Sequence, residues 1–292
     1  MKKLIVLFVC MFLVSNVFAI NDWKQGTNTA PVEGTTNPSD IDANLSNYAI
    51  DPLDKLLSNY IYGCTLTWAS NDTITVGIGE VNCSDGTIHR MRKNVATATV
   101  TMSNVGVATG GVDTGSDAGA EQASTWYDIY AGADANATTF TVFAAKQGTA
   151  PTQITYYRYI GSVYNNVGKN MPVFFCTGKG QAIQYTWDVP VSVATVASAG
   201  AWSAATSCAV GIPTTSTYGT FEVSSTQAGS TCGINLRRNG YIGGTVGVYV
   251  VSVGYIAGEL SCVTDNAQKI QYYNDGGDTS TTIDVKGFVL NR

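Results

Sequence analysis

The chain has 292 residues, 45% of them hydrophobic and only 13% charged, with a formal net charge of −5 at pH 7. Low charge with this apolar content argues against a disordered chain, and the acidic balance argues against a phosphate-gripping protein, so no nucleic-acid partner is expected. One histidine and no Cys-x-x-Cys spacing argue against a zinc site, and the reading carries no metal and no cofactor.

Residues 1–19 have the layout of a secretory signal: Lys2 and Lys3, an apolar run from Leu4 to Leu13, and the exit Val17-Phe18-Ala19. The apolar run is too short to span a bilayer stably. No other stretch is long and apolar enough, so an exported chain with no membrane span is expected, secreted or at an extracellular surface. Removing the leader leaves 273 of the 292 residues, enough for one large or two modest β domains. Loss of Lys2 and Lys3 lowers the charge of −5 by two, to −7.

Residues 20–50 form a polar stretch with Pro31 and Pro38, in which Trp23 is the one large anchor as far as Leu45. They read as an extended arm, either without packing of its own or lying on a neighbouring subunit. A helix is predicted next. Asp51 can cap it and Pro52 suits its first position. Leu53, Leu56, Leu57 and Tyr60 then recur on one face, and Gly63 can end it.

Strands are predicted from Cys64 onward. Residues 65–68, 73–78, 79–83 and 88–91 read as hairpins with Ser-Asn-Asp and Ser-Asp-Gly turns, followed by 97–105 and a Gly-rich loop at 110–119. Residues 126–130, 138–145 and 154–163 follow as an antiparallel meander of three aromatic, β-branched strands. A second set covers 173–176, 184–187, 208–212, 219–223, 232–237, 246–253, 269–273 and 281–290, with an Asn239-Gly240 turn and a closing last strand. The predicted fold is all-β: a short N-terminal helix and two antiparallel β-sandwich or jelly-roll-like domains, 51–170 and 171–292.

Behind a signal peptide, six cysteines (Cys64, Cys83, Cys176, Cys208, Cys232 and Cys262) form an even set of disulfide candidates, with buried free thiols as the alternative. Cys64–Cys83 is the favoured pair, since each flanks a short hairpin; such a closure is worth ~3 kcal/mol in the loop-entropy account.

Reactive chemistry finds little support, and no enzyme is predicted. His89, the single histidine, sits in Ile88-His89-Arg90-Met91-Arg92-Lys93 with no nucleophile motif nearby. That run reads as a solvated strand end or as a basic patch for anionic glycans or phosphates. Arg237 and Arg238, beside the Asn239-Gly240 turn, allow the same two readings. Asp128 and Glu259 are the carboxylates a glycosidase could pair, although nothing in the sequence brings them together. Asn274-Asp275-Gly276-Gly277-Asp278 reads better as a tight turn than as a calcium loop. Among the abundant aromatics, Trp202 and Tyr273 lie beside loop compositions and are chosen, with Arg237 and Arg238, as binding candidates.

Four stretches resemble bacteriophage tail-fibre and virion-associated structural proteins. They are IDPLDKLLSNYIYGCTLTWASNDTITVGIGEVNCSDGT, GGVDTGSDAGAEQASTWYDIYA, TAPTQITYYRYIGSVYNN and the terminal IDVKGFVLNR. The resemblance covers roughly residues 51–292. It implies a β-rich, homo-oligomeric, possibly fibre-forming component that acts by assembly and by attachment to a glycan or protein receptor. Two features depart from that pattern. Tyr159 stands where a second arginine is usual, and tail fibres carry no export signal. The leader points to a secreted or cell-surface relative, or to an unusual virion. The alternative function is a cell-surface glycan-binding adhesin; a polysaccharide depolymerase comes third.

Overall fold

The computed structural model describes residues 60–117, 121–196, 201–227, 232–243, 245–250, 254–274 and 278–292. The predicted leader, the arm and residues 51–59 of the predicted helix lie outside them. The described residues fall in one compact unit, Leu53–Arg292. Among the described residues the fold is all-β, as the alternating pattern implies, with a 3-10 turn at Val107–Thr109 and a helical turn at Thr114–Asp117.

The first half holds nine strands: β1 (Ile61–Gly63), β2 (Leu66–Trp68), β3 (Thr73–Val76), β4 (Gly79–Ser84), β5 (His89–Asn94), β6 (Ala98–Thr101), β7 (Thr125–Ala133), β8 (Thr141–Lys146) and β9 (Tyr156–Asn165). They form a three-stranded sheet, β2-β3-β6, and a six-stranded sheet, β1-β4-β9-β7-β8, in which β5 also pairs with β4. The two predicted hairpins, β2–β3 and β4–β5, are present. In the second, Asp85 Oδ1 accepts the amides of Thr87 at 2.8 Å and Ile88 at 2.7 Å, while Gly86 takes the φ of 93° that the turn demands.

Two expectations for this half are corrected. Residues Ile61–Gly63, read as the end of a helix, are a strand on β4. Aromatic and β-branched residues suit a pleated surface, and the ladder to Gly79–Val81 overrides the upstream helical period. The three aromatic strands are also not a simple meander, because β7 pairs with both β8 and β9 and lies between them. Trp126 to Ile129 and Ala131 to Ala133 are buried, so β7 is covered on both faces, as a central strand must be.

The second half holds β10 (Phe174–Thr177), β11 (Ala182–Val196), β12 (Thr206–Ser207), β13 (Tyr218–Gln227), β14 (Cys232–Arg238), β15 (Val246–Val250), β16 (Gly254–Val263), β17 (Lys269–Asn274) and β18 (Asp278–Asn291). One sheet runs β10-β11-β18-β13-β16 and the other β12-β17-β14-β15. Strand β18, expected as a closing strand, is central, between β11 and β13. Strand β11 runs well past residue 187, where the sequence reading stopped. Pro190 cannot donate to the ladder, and the register shifts between Thr186 and Val191 before pairing resumes. Residues 208–212, expected as a strand, are a turn in which Cys208 O accepts both Gly211 N and Ile212 N at 2.9 Å.

Strand pairing keeps the two halves apart, while side-chain packing joins them in one buried cluster. Trp126 of β7 meets Trp187 of β11 at 6.1 Å and Phe288 of β18 at 5.7 Å, and Phe288 stacks on Tyr185 at 4.6 Å. The 208–212 turn seals this seam. Ala209 O accepts Trp126 Nε1 at 2.7 Å, and Gly211 O accepts Trp187 Nε1 at 3.0 Å. Each buried indole thus keeps a partner for its one polar atom.

Candidate functional site

Strand β14 carries the site. Its alternation sends Ile234 and Leu236 into the core, where both are fully buried beside Ile270 of β17. Asn235 and Arg237 point the other way, opposite Tyr273 and Gln271 of β17. Ser203 stitches the preceding loop to β17. Its amide donates to Tyr272 O at 2.8 Å, and its Oγ accepts Tyr272 N at 3.0 Å. This places Trp202 in a bridge with Tyr273, the rings 5.6 Å apart and tilted by 47°. The Arg237 guanidinium lies 3.9 Å over the Trp202 ring, and its Nε donates to Gln271 Oε1 at 3.1 Å. Gln271 Nε2 in turn donates to Ser203 O at 3.0 Å.

At the end of β14 the surface folds into an open groove of about 540 Å³. Strand β16 is the edge of its sheet, and its last residues, Ser261 to Val263, form one wall with Tyr218, which pairs directly with Val263. Arg237, Arg238 and Tyr241, at the start of the β14–β15 turn, form the other. Gly240 takes a φ of 75° in that turn. Tyr218 is 40% exposed, Tyr241 52% and Val263 45%, so the groove presents rings and a branched side chain to solvent.

Three of the four binding candidates read from the sequence come together, Trp202, Tyr273 and Arg237 in one contact cluster; Arg238, next along β14, shares the face of Leu236 and lines the groove instead. Tyr218 and Tyr241 were missed. Tyr241 directly follows the Asn239-Gly240 turn, a signal the sequence did offer. Nothing local marks Tyr218, whose place depends on pairing with β16.

The other candidates are placed elsewhere. His89 opens β5, half-buried, with Nδ1 lacking a hydrogen-bond partner. Arg92 is not part of an exposed basic patch. It is buried, and its Nη2 donates to Ala135 O at 2.9 Å. Asp128 is buried in β7, where its Oδ1 accepts Ser162 Oγ at 2.7 Å and Gln147 Nε2 at 3.1 Å. Burial pushes its carboxyl above the ordinary range, against those two hydrogen bonds. Glu259 is held on β16 by Lys286, 3.1 Å away. The two carboxylates thus have separate partners on separate sheets. Of the Asn274–Asp278 segment, residues 275–277 lie outside the described residues; Asn274 Nδ2 donates to Thr281 Oγ1 at 2.6 Å. Among the described residues, no group of three His, Cys, Asp or Glu could hold a metal ion, and no helix is long and apolar enough to cross a membrane.

The favoured disulfide is corrected. Cys64, Cys83, Cys176, Cys208 and Cys262 are free thiols, and the side chain of Cys232 lies outside the described residues. The register that pairs Gly63 with Gly79 leaves Cys83 four residues further along β4. That is roughly 13 Å of strand, beyond the ~7 Å Cα reach of a disulfide. Burial pushes the thiols of Cys64, Cys176 and Cys262 up to about 11 and those of Cys83 and Cys208 to about 12. They stay protonated at neutral pH and are poor nucleophiles.

No family model matches this chain, and no curated protein matches it. Among solved structures it matches TmCBM61, a carbohydrate-binding module in complex with beta-1,4-galactotriose, at 10% identity and a TM-score of 0.17. The match covers 44% of this chain and 75% of that one. A likeness this slight carries no weight for fold or ligand.

Proposed function

We propose that the chain is an exported, non-enzymatic binding protein that engages a glycan through the β14 surface and the adjoining groove. The observation behind this is the groove itself: two solvent-facing tyrosines and Arg238 at strand ends, with Arg237 passing from the groove wall to the Trp202–Tyr273 contact. Aromatic rings offer flat apolar faces to sugar C–H groups at low entropic cost, while guanidinium and hydroxyl groups fix orientation. A glycan array probed with the exported chain tests it. Binding is expected, and it should fall in Trp202→Ala and in Tyr241→Ala; binding unchanged in both variants would remove this face from the function.

The second reading is assembly into a homo-oligomer or fibre, secreted or in a virion, in keeping with the tail-fibre resemblance. It draws on exposed apolar side chains near the β14–β15 turn, where Ile242, which follows Tyr241 in the chain, is 94% exposed. A clean monomer at high concentration would count against it.

A further inference from the structure

The groove has an electrostatic sense that the chain as a whole lacks. Arg237 and Arg238 line it and no carboxylate does among the described residues, although the protein is acidic overall. Arg237 is engaged, over Trp202 and on Gln271. Arg238 is exposed, and its guanidinium has no hydrogen bond or ion pair among the described residues. Asp265, the acid at the base of the hairpin, does not neutralise it. That carboxylate accepts Asn239 Nδ2 at 2.8 Å and the amides of Ala267 at 2.9 Å and Lys269 at 2.8 Å. Arg238 is therefore a fork-shaped cation, presented between two tyrosine rings and the exposed hydroxyl-bearing residues Thr245 and Ser261.

Resting on the glycan reading above, we infer that the groove selects a saccharide bearing a carboxylate, such as a uronic or a sialic acid unit. Arg238 takes the carboxylate through two parallel N–H···O bonds, a geometry that lysine could not reproduce. Tyr218 and Tyr241 hold the ring of the sugar. One unengaged guanidinium balances one carboxylate, whereas a phosphate monoester, at about −1.5 to −2, would stay under-compensated. Tyr241 owes its position to Gly243: a Cβ there would run into the Tyr241 ring, a flexible side chain that can move aside.

The test titrates oligosaccharides of galacturonate, glucuronate and N-acetylneuraminate into the exported chain, each beside its carboxyl-reduced counterpart. At least one acid form is expected to bind about tenfold or more tightly than its reduced form, the usual scale of a charge-assisted pair. Arg238→Gln should erase that difference and leave the weaker binding of the reduced sugar. Gly243→Ala, which displaces Tyr241 without touching the charge, should weaken both forms together. Equal binding of acid and reduced forms overturns the selectivity and leaves glycan binding standing. Binding of neither form overturns both. Self-association that Arg238→Gln abolishes, with no sugar bound, gives the groove to a second copy of the chain and overturns the inference.

Discussion

The two halves of the molecule are built from the same kind of strand yet differ in where their charged side chains lie: the first buries three of them, the second, Arg292 apart, none among the described residues. In residues 60–165, Arg92, Asp113 and Asp128 are all buried. Each is turned to neighbours within that half: Arg92 to the carbonyls at 134 and 135, Asp113 to Thr152 and Gln153, Asp128 to Ser162 and Gln147. Strands β7 and β8 of that half are covered on both faces. In residues 174–291 the sheet of β13, β16 and β18 keeps one outer face toward solvent, and Glu222, Glu259 and Lys286 stand on it. Inward polar groups fix loops and register, because a buried donor or acceptor is costly unless matched. Outward ones are free to meet something else, which is why the candidate site falls in the second half.

Arg292 crosses the divide with three guanidinium hydrogen bonds, and removing it should have the largest effect. Arg292 is buried, and its guanidinium donates to Gly63 O at 2.8 Å, Cys64 O at 2.9 Å and Ile160 O at 3.3 Å in the first half, and to Gly180 O at 2.9 Å. Arg292→Ala strands those carbonyls away from water. A loss of about 3–5 kcal/mol is expected, the scale for breaking a buried charged network. Chemical denaturation measures it, and an unchanged midpoint would mean that the aromatic seam and the remaining cross-half hydrogen bonds, such as Thr214 N to Gln147 Oε1, hold the halves together without Arg292.

Asp128 sharpens the contrast from inside the first half. Its folded-state pKa is raised above 3.8, so at higher pH the native state holds its proton longer than the unfolded chain does. The contribution of Asp128 is therefore most favourable below 3.8 and declines as pH rises toward the folded value. Asp128→Asn keeps an acceptor for Ser162 and Gln147 but cannot ionise. The stability of the variant relative to the parent should climb with pH over that window; a difference that stays flat would show that the buried carboxyl titrates normally.

The same contrast governs how much was legible in the sequence. Alternation located most strands, and local turn chemistry located the Asp85-Gly86 and Asn239-Gly240 turns, because both are decided by neighbours in the chain. Strand order was not legible. Placing β7 rather than β8 in the middle depends on long-range pairing that a run of aromatics does not encode. Strand β16 was missed because Gly254 and Gly258 weaken its local signal, and Pro190, which reads as a strand breaker, concealed the continuity of β11. At the site, loop composition singled out Trp202 and Tyr273, and the paired arginines marked the turn. Tyr218 was invisible, since only the register that sets it against Val263 turns a strand-initial tyrosine into a groove wall.

The smallest effect is expected on the outer face of the second half. Glu222 lies directly opposite both Glu259 and Asp284, a row of like charges across three neighbouring strands that would destabilise the sheet by itself. Lys286 offsets it, with Nζ 3.1 Å from Glu259 and 3.7 Å from Glu222. Its hydrogen bond and attraction to Glu259 raise its pKa above the ordinary 10.5. The stabilisation is thus complete at neutral pH and lost only as pH climbs through that raised value. Because the group is solvated, Lys286→Met should cost on the order of 0.5 kcal/mol at low salt and almost nothing near 1 M. Adding Glu259→Gln to that variant should return part of the loss by shortening the acidic row. A salt-independent loss would instead trace the effect to packing of the lysine stem, and would place this face with the buried first half rather than opposite to it.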